Sequence, residues 1–599
     1  MAALVVAGAA IIAYHNSFET PFLFDDQPHI LRNPQIRHLW PPWEAMAHTG
    51  RPIVQLSLAA NYAVSGFDPW SYHAMNVAIH VLAGLVLLGI VHRTFASIEL
   101  RDRYRPAAAG LALASALIWI VHPLQTEAVT YVIQRSESLA SLFYLITLYG
   151  AIRGADSARA WRWYVVSVAS CALGMGSKPV MVTAPVAILI YDRMFLARSF
   201  RELWDARRGL YFGLFATLGL MPLLFANGPQ EWRTSAGLGV SGVTPVLYAG
   251  TEPGVIVHYL RLCLWPQPLC LDYDWPIART ASAIVAPAVT IAALVSLTAW
   301  ALWKRSRLGF LGVWFFLVLA PTSSVIPIAD PAFEHRLYLP LAAVTVLGVW
   351  GGYEVTVALA RRFDWPAATR SIVAVLALLS IVGLFTARTI ARNFDYRSAI
   401  AIWTDTVAKH PANPRAHTNL GMAYLTDRRG DEALSQFYEA VRIDSSYGFG
   451  HLALAMALRM AGRSDEALPA CRQAVRLLPQ TGEAHFLLGS LLIDRGQVDE
   501  GYDHLLIAER LEPDRAATRY TIGMVLERRG RTNEAIRAYS EAVRIKPDYA
   551  DAHRDLGLAL ARVGRLDEAR RELSTALALS PEDARAKQGL DELRQDTVR

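Results

Sequence analysis

The chain has 599 residues, 53% of them hydrophobic, with a net charge of +6 and a mean hydropathy of +0.25. That is too apolar for an ordinary soluble protein of this length, and arginines clustered in short loops between apolar runs point away from nucleic acid. The four cysteines contain no CxxC pair, which argues against a zinc or redox motif.

A helix that crosses a bilayer needs about 20 mostly apolar residues. Eleven runs qualify as predicted spans: 1–14, 74–92, 107–122, 137–152, 162–177, 179–195, 209–226, 281–303, 308–327, 338–360 and 368–388. The first begins at Met1 without the basic flank of a signal peptide, so it reads as a span. Residues 246–266 are also apolar but are interrupted by Glu252, Pro253, His258 and Arg261, and are expected to re-enter or lie on the surface. Cys263 and Cys270 are close enough in sequence to pair, although thiols in such surroundings usually serve as small apolar side chains.

Basic residues set the orientation. Arg93, Arg101, Arg103 and Arg105 follow the second span, and Arg153, Arg159 and Arg162 the fourth. Arg193, Arg198, Arg201, Arg207 and Arg208 mark the exit of the sixth; Lys304, Arg305 and Arg307 that of the eighth; Arg361, Arg362 and Arg370 that of the tenth. Every even-numbered exit is therefore cytoplasmic. The loop 15–73, the loop 123–136, the region 227–280 and everything after the last span then face outward.

From residue 413 a different pattern begins. Units 413–446, 447–480, 481–514, 515–548 and 549–582 repeat with the 34-residue period of tetratricopeptide (TPR) repeats. Gly421, Ala455, Gly489, Gly523 and Gly557 recur in register, as do Ala433, Ala467, Gly501, Ala535 and Ala569. Gly462, Gly496, Gly530 and Gly564 end the first helix of a unit, and Pro479, Pro513, Pro547 and Pro581 stop the second. Residues 398–412 form a connecting helix and 583–599 a capping helix. The fold class is thus all-α: a polytopic membrane domain over 1–390, then a TPR α-solenoid whose groove would bind a protein.

Ionisable residues near a bilayer are costly and mark function. The outward segments gather them. FLFDDQPHILRNP carries Asp25 and Asp26, and Arg51-Pro52 follows in the same loop. HPLQTEAVTYVIQRSES supplies His122, Glu127, Arg135 and Glu137; SKP supplies Lys178; FEHRLYLP supplies Glu334, His335 and Arg336. A carboxylate can take a proton from a hydroxyl, and cations can stabilise a departing phosphate. The mix fits displacement of a sugar from a lipid phosphate. His80 and His258 read as structural. No acidic or polar residues mark a mid-span transport path.

These stretches, together with GRPIVQLSLAANYAVSGFDPWSYHAMNVAIH and SKPVMVTAPVAILIYDR, resemble the transmembrane and TPR-containing O-mannosyltransferases in a bacterial form, over nearly the whole chain. The resemblance implies a GT-C fold in the inner membrane with its active site and repeats on the periplasmic side. It implies a polyprenyl-phosphate-linked sugar donor and inverting transfer, of mannose, to Ser or Thr of an exported protein. The family's acidic motif falls on Asp25 and Asp26, with Asp25 preferred as the base. Charge and position assign the donor phosphate to Lys178, Arg336, His335 and Arg135, with His122, Glu127, Glu334 and Arg51 supporting. No cofactor is assigned and no metal-ligand set is visible; a divalent metal stays compatible with the reaction. The competing reading is a non-catalytic membrane scaffold whose repeats recruit periplasmic proteins. A scaffold, however, has no use for Asp, Lys, Arg and His gathered on one face.

Overall fold

The computed structural model describes residues 1–47, 49–97, 100–226 and 243–596, so part of the 227–280 region and the last three residues of the 583–599 segment lie outside the described residues. The chain divides into two compact units, Met1–Pro411 and Ala412–Arg599.

In the first unit, helices occupy all eleven apolar runs. By length and composition, six among the described residues can cross a membrane: Trp70–Phe95, Val132–Ala155, Phe200–Ala226, Ala281–Trp303, Leu341–Arg362 and Ala367–Asp395. A seventh arises if Ala108–Ile120 and Pro123–Thr130, bent by 54° against each other, count as one span. The other four runs are helical but shorter. Residues 246–266 fall mostly in one helix, Pro245–Leu264, with Pro253 inside it. All four cysteines are free and buried.

Two of the helices show what solvent this unit needs. None of the apolar window of Ala281–Trp303 is buried, and only 6% of that of Ala367–Asp395 is. Val289 is 63% exposed and Leu379 61%. Apolar surface of this extent is not sustained in water, whereas lipid covers it without cost. The protein is integral to a membrane.

Prolines shape the segments between these helices. A residue before proline is pushed away from helical backbone, and proline itself suits the first helical turn. Arg51 precedes Pro52, which opens the helix Pro52–Ser65. His122 precedes Pro123 and is extended, at φ −68° and ψ 129°. Lys178 precedes Pro179 and is extended, at φ −157° and ψ 144°. Three candidate site residues thus stand just outside a helix start, projecting where the chain turns.

In the second unit, antiparallel helix pairs follow one another from Pro414–Thr426 with Gly430–Ile443 to Ala550–Arg562 with Leu566–Leu579, and Ala584–Asp596 follows. The turns inside the pairs need left-handed backbone. Gly462, Gly496, Gly530 and Gly564 adopt it at φ between +73° and +82°, and Arg428 does so at the equivalent place of the first pair. Helices within a pair approach closely: a Cβ on Gly489 would lie 2.8 Å from the carbonyl oxygen of Gly501.

A histidine recurs at 417, 451, 485 and 553, in phase with the repeat. At His485 the ring Nε2 lies 3.3 Å from the Pro479 carbonyl and Nδ1 lies 2.9 Å from Nδ1 of His504. A carbonyl only accepts, so Nε2 of His485 carries its proton and His504 donates between the rings. Burial holds both rings below the ordinary value of 6.5. The folded state then binds fewer protons than the unfolded one, so stability is full above that value and falls as pH drops through and below it. The unfolding temperature of the solenoid should therefore fall between about pH 7.5 and about pH 5.5. His504→Gln, which can still donate to His485 but does not titrate, should lessen the fall; calorimetry of both chains checks this.

Candidate functional site

The site is assembled where the proline-marked turns meet. Ile53 donates its backbone N–H to the Gly176 carbonyl at 3.1 Å, tying the start of one helix to the end of another. A Cβ on Gly176 would lie 2.9 Å from Ile53, so only glycine permits this approach without a shift. The contact brings Arg51 and Lys178 together over the first turn of the helix Arg135–Ala155. There Lys178 pairs with Glu137 through a short contact, both largely buried. Arg51 Nη1 reaches Ser136 Oγ at 3.4 Å and also interacts with Glu137 and Asp25. Burial lowers the Lys178 ammonium pKa, Glu137 opposes that, and Arg51 and Arg336 lower it further. Two cations, Arg51 and Lys178, are thus held close together around the single carboxylate of Glu137.

The two aspartates of the first loop differ sharply. Asp26 is 1% exposed, and both its oxygens accept backbone N–H groups: Oδ2 from Leu23 at 2.9 Å and Oδ1 from Ile133 at 2.8 Å. It pins the loop to the segment before Arg135. Burial pushes its carboxyl up to about 8, against those two hydrogen bonds. Asp25 is half-buried. Its backbone N–H donates to Tyr131 Oη at 2.7 Å, and its carboxylate interacts with Arg51.

Beside the cations lies a buried Glu127–His335 pair. Glu127 accepts the backbone N–H of His335 and its ring Nδ1, each at 2.8 Å. Burial, with Lys178 next, lowers His335 far below its usual value, so the ring is neutral and donates from Nδ1. Arg336 donates to the Asp330 and Pro331 carbonyls and lies 5.4 Å over the Phe333 ring. Its acidic neighbours are Glu252, on the helix Pro245–Leu264, and Asp330. Glu334 accepts from Cys270 N and from Tyr273 Oη, the latter at 2.8 Å.

Arg135 and His122 are engaged elsewhere. Arg135 is fully buried and donates to Asn76 and Asn61 side chains at 2.6 Å each, to the Tyr72 carbonyl at 2.8 Å and to Ser57. Such an arginine braces three helices. His122 accepts from Leu124 N and contacts the Cys263 carbonyl, each at 3.2 Å. Lys178, Arg51, Arg336, His335 and Glu127 are brought together with Asp25 at the edge; Arg135 and His122 serve the frame around them. Among the described residues no three His, Cys, Asp or Glu side chains come together to hold a metal ion.

Sequence reasoning passed over Glu137, named but given no role, and Tyr131, within a quoted stretch. It read Glu252 only as an interruption of an apolar run, and Arg392 was hidden at the end of the last apolar helix. The shared signal at Arg51, His122 and Lys178, a polar residue before a helix-opening proline, would have singled out those three together.

Parts of the chain match known protein families. Residues 48–225 match the dolichyl-phosphate-mannose-protein mannosyltransferase family, and 391–448, 452–518, 523–564 and 550–583 match tetratricopeptide repeats. The human protein O-mannosyl-transferase TMTC4 is 25% identical over 73% of this chain and 65% of its own. Human TMTC2 is 29% identical over 46% of this chain and 35% of its own, and Tmtc3 of Drosophila melanogaster 24% identical over 74% and 55%. The chain thus spans between 35% and 65% of the length of these relatives. Among solved structures, that of YrrB, a TPR protein, is 20% identical, with a TM-score of 0.28 over 32% of this chain and 98% of that one. With a mannosyltransferase-family match ahead of tetratricopeptide-repeat matches, the chain is similar to the TMTC protein O-mannosyl-transferases.

Proposed function

We propose that the protein is a membrane glycosyltransferase that moves a sugar, mannose by kinship, from a polyprenyl-phosphate donor to Ser or Thr hydroxyls of exported proteins. The observation that carries this reading is the run Asp25, Arg51, Glu137, Lys178: a half-buried carboxylate beside two largely buried cations that share one buried glutamate. Asp25 takes the proton of the acceptor hydroxyl. The hydroxyl oxygen forms its bond to the sugar's anomeric carbon from the face opposite the phosphate, inverting it. The bond from that carbon to the phosphate oxygen breaks, and its electron pair leaves on the polyprenyl phosphate. Lys178, Arg51 and Arg336 stabilise the resulting charge. Glu127 and neutral His335 hold the wall beside them without adding to the positive charge. Arg135, its donors taken up by Asn61, Asn76 and Tyr72, holds the helices that carry the site and does not meet the phosphate.

The site faces the extracytoplasmic side, here the periplasm of a bacterial inner membrane. Basic loops after every second span support this. So do exposed tryptophans: Trp161 and Trp303 adjoin the basic loops, while Trp40, Trp43 and Trp70 lie in or next to the Asp25-bearing loop, as in the two aromatic belts of a membrane protein. The solenoid binds the acceptor protein. The test is a glycoproteomic comparison of exported proteins from wild type and from an Asp25→Asn strain with equal protein levels. The expected result is loss of hexose from a set of Ser and Thr sites. Unchanged glycosylation would favour the scaffold instead.

A further inference from the structure

A second group of polar atoms stands beside the Glu127–His335 pair. Arg392, near the end of the helix Ala367–Asp395, is 5% exposed. Its Nη1 pairs with Asp395 at 2.9 Å and Asp405 at 2.7 Å. Its other edge, Nε with Nη2, is buried and finds no hydrogen-bond partner among the described residues. That edge is the two-pronged face of a guanidinium, suited to paired oxygens. Tyr396 Oη and Glu334 Oε2 are likewise buried without partners among the described residues.

These orphaned atoms belong to one place. The Arg392 guanidinium lies 5.2 Å over the Tyr396 ring, and Glu334 is among its interacting acids. Asn393 accepts from Thr130 Oγ1 at 2.8 Å, stapling this helix end to the short helix Thr126–Thr130 that carries Glu127. Glu127 in turn interacts with Arg392 as well as with Lys178 and Arg336. Buried polar groups normally find partners, so a cluster that lacks them is a place where a ligand or water supplies them.

Charge decides which ligand. Arg392 and Lys409 face Glu334, Glu127, Asp395 and Asp405. Acids outnumber bases, so a second phosphate would be repelled. A neutral hydroxyl that both donates and accepts can satisfy a guanidinium edge, a phenol and a carboxylate together. Sugar hydroxyls have this chemistry, and a donor's sugar must lie next to its phosphate. We propose that Arg392, Tyr396 and Glu334 form the pocket that reads the hydroxyls of the donor sugar; this rests on the transferase reading above.

Glu334→Gln is a selective probe. The amide oxygen can keep the bonds from Cys270 and Tyr273 at Oε1, while the orphaned oxygen becomes a nitrogen donor. Arg392→Lys keeps the charge and removes the two-pronged edge. Binding to full-length protein in lipid nanodiscs is measured for a polyprenyl-phosphate mannose, its gluco epimer and bare polyprenyl phosphate. Wild type is expected to prefer the mannosyl lipid to the bare one. Both variants are expected to lose that preference at least about tenfold, an interaction worth about 1.4 kcal/mol, with affinity for the bare lipid unchanged. Discrimination between the epimers narrows in parallel. A folded Glu334→Gln protein with its preference intact would mean that ordered water alone fills the cluster, and overturns the proposal even if Arg392→Lys fails to fold. Equal wild-type affinity for bare and mannosyl lipids overturns it while leaving the phosphate site standing. Wild type binding none of the three lipids overturns the transferase reading and the pocket together.

Discussion

An Asp25→Asn variant is expected to lose sugar transfer by about 10²–10⁴-fold, the usual contribution of a positioned general base, while still binding the donor. The amide is nearly isosteric, and the backbone N–H that Asp25 donates to Tyr131 is untouched. The neighbouring Asp26→Asn should behave differently. Asp26 receives one backbone N–H on each oxygen, and an amide can receive only one of them. The other N–H would face a donor in a buried place, at a cost of about 1–3 kcal/mol. Lower thermal stability of the membrane unit should accompany whatever activity Asp26→Asn loses. Single-turnover transfer and donor binding, measured beside thermal unfolding, separate the two. Equal loss of turnover in both variants with no change in unfolding would remove the distinction between base and anchor.

Arg135→Met is expected to prevent the membrane unit from folding normally. The thioether matches much of the side chain's volume but leaves the buried side-chain oxygens of Asn61 and Asn76 without their donor and removes the brace to the helical carbonyls of Ser57 and Tyr72. At about 1–3 kcal/mol for each deserted group, the loss reaches about 2–6 kcal/mol, a large share of the stability of any domain. The measurement is the yield of monodisperse protein after detergent extraction, with its unfolding temperature. A well-folded Arg135→Met protein that had lost only donor binding would return Arg135 to the phosphate site.

These two contrasts show where sequence reading stops. Apolar runs announce helices because burial in lipid imposes a composition, and the 34-residue period announces repeats because each pair must present the same small residues to the next. Convergence of charge was also legible: Asp25, Arg51, Lys178 and the 333–340 stretch all fall on odd-numbered exits. What two adjacent aspartates each do was not. Asp26 is an anchor because of Ile133, more than a hundred positions away, and no local pattern encodes that bond. Arg135 misled for a similar reason. Its partners are neutral Asn, Ser and carbonyl groups, which carry no charge signal by which a guanidinium could be matched to them in advance. Arg392 went unnoticed because an arginine closing a long apolar helix resembles an interfacial anchor until its burial is known.

The prolines after Arg51, His122 and Lys178 bear on how the protein can respond when a donor arrives. Many enzymes grip substrate by winding a turn onto a helix, drawing a residue inward as the new turn forms. Here the ring of the next residue blocks that route at all three positions, because the residue ahead of it resists helical backbone. Adjustment must come from the long, swivelling ends of Lys178 and Arg51 over a main chain already set. On the transferase reading, the phosphate is then met by flexible arms on a stiff seat, by rotamer changes instead of refolded loops.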